Sequence, residues 1–194
     1  MSRLTTSFVL GYHGCDEDVG MAALHGELTL TKSQQDYDWL GPGIYFWESD
    51  PARAREWAEA RAKRGKCNKP FVIGAVIDLR NCLNLVEREN LELLSAAHES
   101  FVRIQTMAGL DLPVNRDVAK GEPGDKLLRY LDCAVIRHLH GMIAEDPNIE
   151  PFDTVRGLFV EGQQPYSGSG FNLLTHTQIA VVNEDCIRGV FLPR

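Results

Sequence analysis

The sequence predicts an α+β fold, one domain over residues 1–194 with a helical insertion near residues 88–150. Three observations predict it. Short apolar, β-prone runs recur at 7–12, 44–47, 71–79, 157–160 and 175–182, towards both ends of the chain. Two helical patterns, 90–107 and 125–143, stand between them, separated by a polar, proline-bearing loop at 109–124. The 194 residues are 44% hydrophobic, enough for one substantial core, and show neither a repeat nor a linker.

Taken in order, residues 7–12 (Ser-Phe-Val-Leu-Gly-Tyr) read as a buried first strand, with His13-Gly14-Cys15 at its end. Strand ends and the loops after them commonly carry ligand-binding groups. Asp16-Glu17-Asp18 is acidic and reads as exposed, Met21–Leu24 as a helical turn, and Gly26–Thr31 alternates like a short strand. A polar loop, Ser33–Asp38, leads to Trp39. Gly41 and Gly43 flank Pro42 and force a tight turn before the strand Ile44–Trp47. Asp50 then reads as an N-cap with Pro51 at the first helical position. The helix from Pro51 to about Arg64 puts Ala54, Trp57, Ala58 and Ala62 on one face, and Gly65 ends it. Phe71–Leu79 is nearly continuous in apolar residues and reads as a central strand. Leu127, Leu128, Leu131, Ala134, Val135, Leu139 and Ile143 repeat along the second helix. The strand Gly157–Val160, the glycine-rich loop Glu161–Gly170, the strand Thr175–Val182 and a last strand at Gly189–Leu192 complete the chain.

Composition narrows the functional classes. No apolar run approaches the ~20 residues of a membrane span, so no membrane partner is expected. The five cysteines are widely spaced, odd in number and without a C-x-x-C pair, which argues against zinc and a disulfide framework and for a reduced, cytoplasmic protein. The net charge of -7 argues against nonspecific nucleic-acid binding as the main task. Residues 51–70 nonetheless hold seven Lys and Arg against two Glu, a local +5. That segment reads either as a solvated helix face or as an electropositive rim that draws in a phosphate-bearing ligand.

Taken singly, the candidate residues have ordinary readings. His13 reads as a structural histidine, Tyr45 and Trp57 as core, and Gln178 as a strand position without meaning. His138 and His140, i and i+2 on a helix, point apart and read as structural rather than metal-binding. Cys15 lacks a partner that would make it a nucleophile.

Together, Tyr12-His13-Gly14, Gly43-Ile44-Tyr45-Phe46 and the late strand His176-Thr177-Gln178-Ile179-Ala180-Val181-Val182 resemble the ADP-ribosyltransferases of the diphtheria-toxin and poly(ADP-ribose) polymerase type. The match covers about 45 residues in three blocks. The resemblance implies a split antiparallel sheet and NAD as substrate. It implies that His13 hydrogen-bonds the adenosine-side ribose, that Gly14 offers its backbone to the nicotinamide carboxamide, and that Tyr45 stacks on the nicotinamide. Trp57, with Trp47 in reserve, would close the ring's other face. Cys15 takes the place of the family's Ser or Thr, and Ser49 joins the cofactor-binding set. The family's catalytic Glu falls on Gln178, which carries no charge and cannot act as a base. That departure favours transfer of a single ADP-ribose to a protein or nucleic-acid acceptor, NAD hydrolysis, or an inactive nucleotide-binding module. Glu161 could restore a carboxylate. A toxin, an effector or a phage-related factor would each fit, and a toxin would bring an antitoxin or immunity partner.

Overall fold

The computed structural model describes residues 8–118 and 124–194. Ser7, the expected start of the first strand, and residues 119–123 of the expected loop lie outside the described residues. Among the described residues, seven strands form one mixed sheet in the order β4-β5-β6-β2-β1-β3-β7. They are β1 (Phe8–Asp16), β2 (Ile44–Glu48), β3 (Pro70–Asp78), β4 (Cys82–Asn84), β5 (Thr154–Phe159), β6 (His176–Val181) and β7 (Ile187–Phe191). The helices are α1 (Glu17–Leu24), α2 (Pro51–Lys63), α3 (Arg88–Ala108) and α4 (Tyr130–Glu145). The α+β class stands as expected. The wholly antiparallel sheet does not, because β4, a three-residue strand that no apolar run announced, pairs parallel with β5.

Pairing is uneven along the sheet. β1 runs beside β3 over the full stretch from Phe8↔Asp78 to Asp16↔Pro70. β5 and β6 pair from Thr154↔Val181 to Phe159↔His176, and β2 and β6 from Ile44↔Val181 to Trp47↔Gln178. β1 and β2, which join these two halves, pair only at Gly11↔Glu48 and Tyr12↔Trp47.

β3 lies second from the edge rather than at the centre. Its apolar continuity comes from helices on both faces. Ala23 of α1 packs with Ile73, Ala75 and Ile77, while Ala54 of α2 packs with Val72. The expected strand Gly26–Thr31 is not a strand, because no neighbouring strand receives it; Leu30 plugs the α1-side core instead, and an isolated bridge, Ser33↔Gly43, follows. Residues 125–129 do not extend α4, which begins at Tyr130. The Asp125 carboxylate accepts the Gly162 N–H at 3.2 Å, and Leu128 bridges to Arg116, so this stretch ties down the glycine-rich loop.

α2 starts as its sequence implies. The Asp50 side chain accepts the Arg53 N–H at 3.0 Å, with Pro51 opening the helix. α3 and α4 bury Ala97, Phe101, Val135, Ile136 and Leu139 in a second core with Leu40, Leu83, Val155 and Ala180 of the sheet side. Among the described residues no helix is long and apolar enough to cross a membrane.

Candidate functional site

The site begins where β1 and β2 part. Leu10 O accepts the Ser49 N–H at 2.8 Å, and Glu17 N–H donates to Lys69 O at 2.9 Å on the other side of the strand. Backbone groups alternate between the two edges of a strand. Leu10, Tyr12 and Gly14 therefore direct their N–H and C=O towards β2. A continued ladder would pair Gly14 with Tyr45. Instead His13 Nδ1 donates to the Tyr45 carbonyl at 2.8 Å. The imidazole takes the acceptor that Gly14 N–H would have used, and leaves the buried Gly14 backbone without a ladder partner on β2. Buried backbone groups normally find partners, so this is a place where a ligand is expected. Gly14 must be glycine, because a Cβ there would press into the Ala54 carbonyl of α2.

The donor role of Nδ1 leaves His13 Nε2 as a lone-pair acceptor. Burial lowers the His13 pKa; the Tyr45 carbonyl opposes that shift and the charge of Arg61 adds to it.

The Tyr45 ring packs in the second core, and its hydroxyl closes the Gly41-Pro42-Gly43 turn, donating to Gly41 O at 2.8 Å and accepting Leu40 N–H at 3.0 Å. Burial holds that phenol well above its ordinary range. By strand parity Tyr45 shares a face with Trp47, whereas His13 leans on Phe46 of the opposite face, ring centroids 5.6 Å apart. His13 and Tyr45 thus meet through a backbone carbonyl and not ring to ring. Trp57 packs against Trp47 at 5.7 Å, with the Arg61 guanidinium 4.8 Å over its ring, rather than against Tyr45. The Cys15 thiol faces Gly20 of α1, and burial pushes its pKa up to about 11. Ser49 is exposed and contributes its N–H to the β1 tie.

A second constellation lies on β6. Gln178, 8% exposed, faces Trp47 across the ladder, and its Oε1 accepts Trp39 Nε1–H at 2.6 Å. Two residues earlier on the same face, His176 stacks on Phe159 at 5.6 Å and 13°, and lies 6.4 Å from Trp47. Glu161 reaches this point from the glycine-rich loop. Its carboxylate pairs with Arg53 at 2.7 Å and stands 3.7 Å from His176 Nδ1. Trp47 Nε1 and Arg53 Nε are buried donors without a partner among the described residues. An unpaired buried donor costs about 1–3 kcal/mol, and two of them, one on the indole beside His176 and one on the arginine that holds Glu161, suit a ligand rich in oxygen acceptors.

Trp39, Arg53, Phe159 and His176 were not singled out as site residues from the sequence. For His176 the signal was available, since alternation puts i−2 of Gln178 on the same face. Trp39 and Phe159, by contrast, reach the site only through tertiary packing. Cavities of about 250 Å³, lined by Trp39, Arg129 and Phe159 among others, and about 240 Å³, beside Tyr130 and Cys133, do not include His13, Tyr45 or Gln178. His138 bonds Ser100 at 3.2 Å, and His140 packs on Phe152. Among the described residues no group of His, Cys, Asp or Glu is placed to hold a metal.

Burial lowers the pKa of His13, His140 and His176 alike from the ordinary 6.5. Below that value the unfolded chain binds protons that the folded chain refuses, so stability is present above pH 6.5 and declines as pH falls. The urea midpoint is expected to drop between pH 7.5 and pH 5.5. A midpoint constant over that range would show that these imidazoles protonate freely in the fold.

Compared with known proteins, the chain matches no family model, no curated relative and no solved structure.

Proposed function

We propose that the protein is an NAD-dependent mono-ADP-ribosyltransferase, moving one ADP-ribose to a protein or nucleic-acid acceptor with release of nicotinamide. The observation that carries this reading is the capture of the Tyr45 carbonyl by His13, with Gly14 left facing the gap. A sheet that parts there into β4-β5-β6-β2 and β1-β3-β7 suits the split-sheet transferase fold. A ligand entering the gap lies in the plane of the sheet, so groups from both faces can border it. Gly14 N–H and C=O match a carboxamide, which needs one acceptor and one donor side by side. His13 Nε2 accepts from a ribose hydroxyl. Trp47 Nε1–H and Arg53 offer donors to further oxygens.

Cleaving the nicotinamide–ribose bond develops positive charge on the ribose and needs orientation and electrostatics more than covalent help. Gln178 supplies a neutral amide whose Oε1 is already engaged by Trp39, leaving Nε2 as the donor. Glu161 supplies negative charge, shared with Arg53. This arrangement suits slow single transfer rather than chain elongation.

The test is incubation with NAD labelled on the adenine side, alone and with cell extract, following nicotinamide release and label in protein and nucleic-acid fractions. His13→Ala, which removes the ribose acceptor, and Tyr45→Ala, which opens the turn that sets the Tyr45 carbonyl, are each expected to lower release about tenfold or more, the equivalent of about 1.4 kcal/mol in barrier height. Release unchanged in both variants refutes the reading.

Gln178 favours one alternative, a module that binds NAD without turnover. Gln178→Glu keeps an acceptor for Trp39 and adds the missing charge, and is expected to raise nicotinamide release about tenfold or more over wild type. Wild-type binding without release, with turnover appearing only in Gln178→Glu, would select the module.

A further inference from the structure

We propose that His176 is the group that takes the proton from the attacking acceptor, the task that a glutamine at 178 cannot perform. This rests on the transferase reading above. His176 Nδ1 donates to Leu174 O at 2.7 Å, which fixes the tautomer and leaves Nε2 with its lone pair. Among the described residues, the buried side-chain nitrogens without a partner are Trp47 Nε1, Arg53 Nε, Arg129 Nε and His140 Nε2. His176 Nε2 is not among them, and the residue keeps 7% of its surface exposed. The ring is held by stacking on Phe159 and flanked by Trp47. Gln178 follows two residues later on the same face of β6.

Charged groups from two elements act on the imidazole. Glu161 comes from the glycine-rich loop, and Arg53 and Asp50 from the start of α2. Glu161, 3.7 Å from Nδ1, stabilises the imidazolium once it forms, while Arg53 holds that carboxylate in place at 2.7 Å. Burial is the largest influence on the ring and keeps it neutral at pH 7, the form that a base requires.

The step balances. The acceptor X–H gives its proton to His176 Nε2 and X bonds the ribose C1′. The C1′–N bond breaks with its electron pair going to the ring nitrogen, and the pyridinium leaves as neutral nicotinamide. The imidazolium then loses its proton to solvent. Water as X gives hydrolysis by the same route, so the reaction can be followed without knowing the macromolecular acceptor.

The experiment measures nicotinamide release from NAD, with water as acceptor, from pH 5 to pH 8, beside NAD affinity by calorimetry. The wild-type rate is expected to rise with pH through one ionisation and level off. His176→Gln is expected to bind NAD as wild type does, to lose about a hundredfold in rate, and to lose the rising limb. Glu161→Gln keeps the base but removes its carboxylate, and is expected to move the limb to lower pH by about half a unit to one unit. If His176→Gln fails to fold, the Glu161→Gln profile decides. A limb that persists in His176→Gln, or stays fixed in Glu161→Gln, overturns the assignment while the transferase reading stands. A wild-type protein that releases no nicotinamide, either with water or with cell extract, overturns both.

Discussion

Replacing Gly14 with alanine is expected to reduce nicotinamide release about a hundredfold and to lower stability by about 1–3 kcal/mol. The added methyl meets the Ala54 carbonyl, which is helix backbone and cannot swing aside as a side chain could. Either α2 lifts from β1 or the β1 end is pushed away from α2, out of line with β2. The first move displaces Arg53 and Trp57, since they ride on α2. The second carries the Gly14 amide and carbonyl out of the plane in which they face a ligand. Gly141→Ala in α4 is the matched control. Its added Cβ meets nothing within 4 Å, and a helix-interior glycine replaced by alanine gains about 0.5–1 kcal/mol. Thermal melts and NAD turnover of the two variants separate the cases. A Gly14→Ala protein with wild-type melting and turnover would mean that α2 does not sit on β1 as described.

Phe46→Ala is expected to cost about 3–5 kcal/mol, read as a lower urea midpoint at unchanged slope. Phe46 is fully buried among Ile44, Ile73, Ile77 and Ile179. It also fills the space over Gly11, where a Cβ would lie 2.8 Å from the Phe46 Cβ, at the crossing that holds the two halves of the sheet together. The same substitution removes the ring that supports the His13 imidazole. Loss of the Nδ1 tie to the Tyr45 carbonyl should accompany the loss of stability, and the His13 Cε1 proton should shift in NMR spectra of the folded fraction. A cost below about 1 kcal/mol would mean that the crossing is held by pairing alone.

Much of the local structure was legible in the chain. Asp50-Pro51 announces α2 because a carboxylate and an N-terminal proline satisfy a helix start wherever it occurs. Ile44–Trp47 and Phe71–Leu79 announce strands because β-branched and aromatic runs suit a covered, pleated surface. Alternation misled at Gly26–Thr31, where Leu30 is buried without any strand beside it. It was silent at Cys82–Asn84, whose pairing with β5 depends on residues some seventy positions away.

The site divides along the same line. Sequence by itself determined that an imidazole would follow β1, that a glycine would follow the imidazole, and that residue 178 would carry no charge. Tertiary structure alone decided that His13 reaches the Tyr45 carbonyl, that the Tyr45 hydroxyl closes its own turn, and that Trp39 holds Gln178 from 139 positions away. Arg53 and Glu161 pair across 108 positions for the same reason. Local propensity acts over a few neighbouring residues, whereas partners this distant are chosen when the sheet orders its strands and the helices cover them.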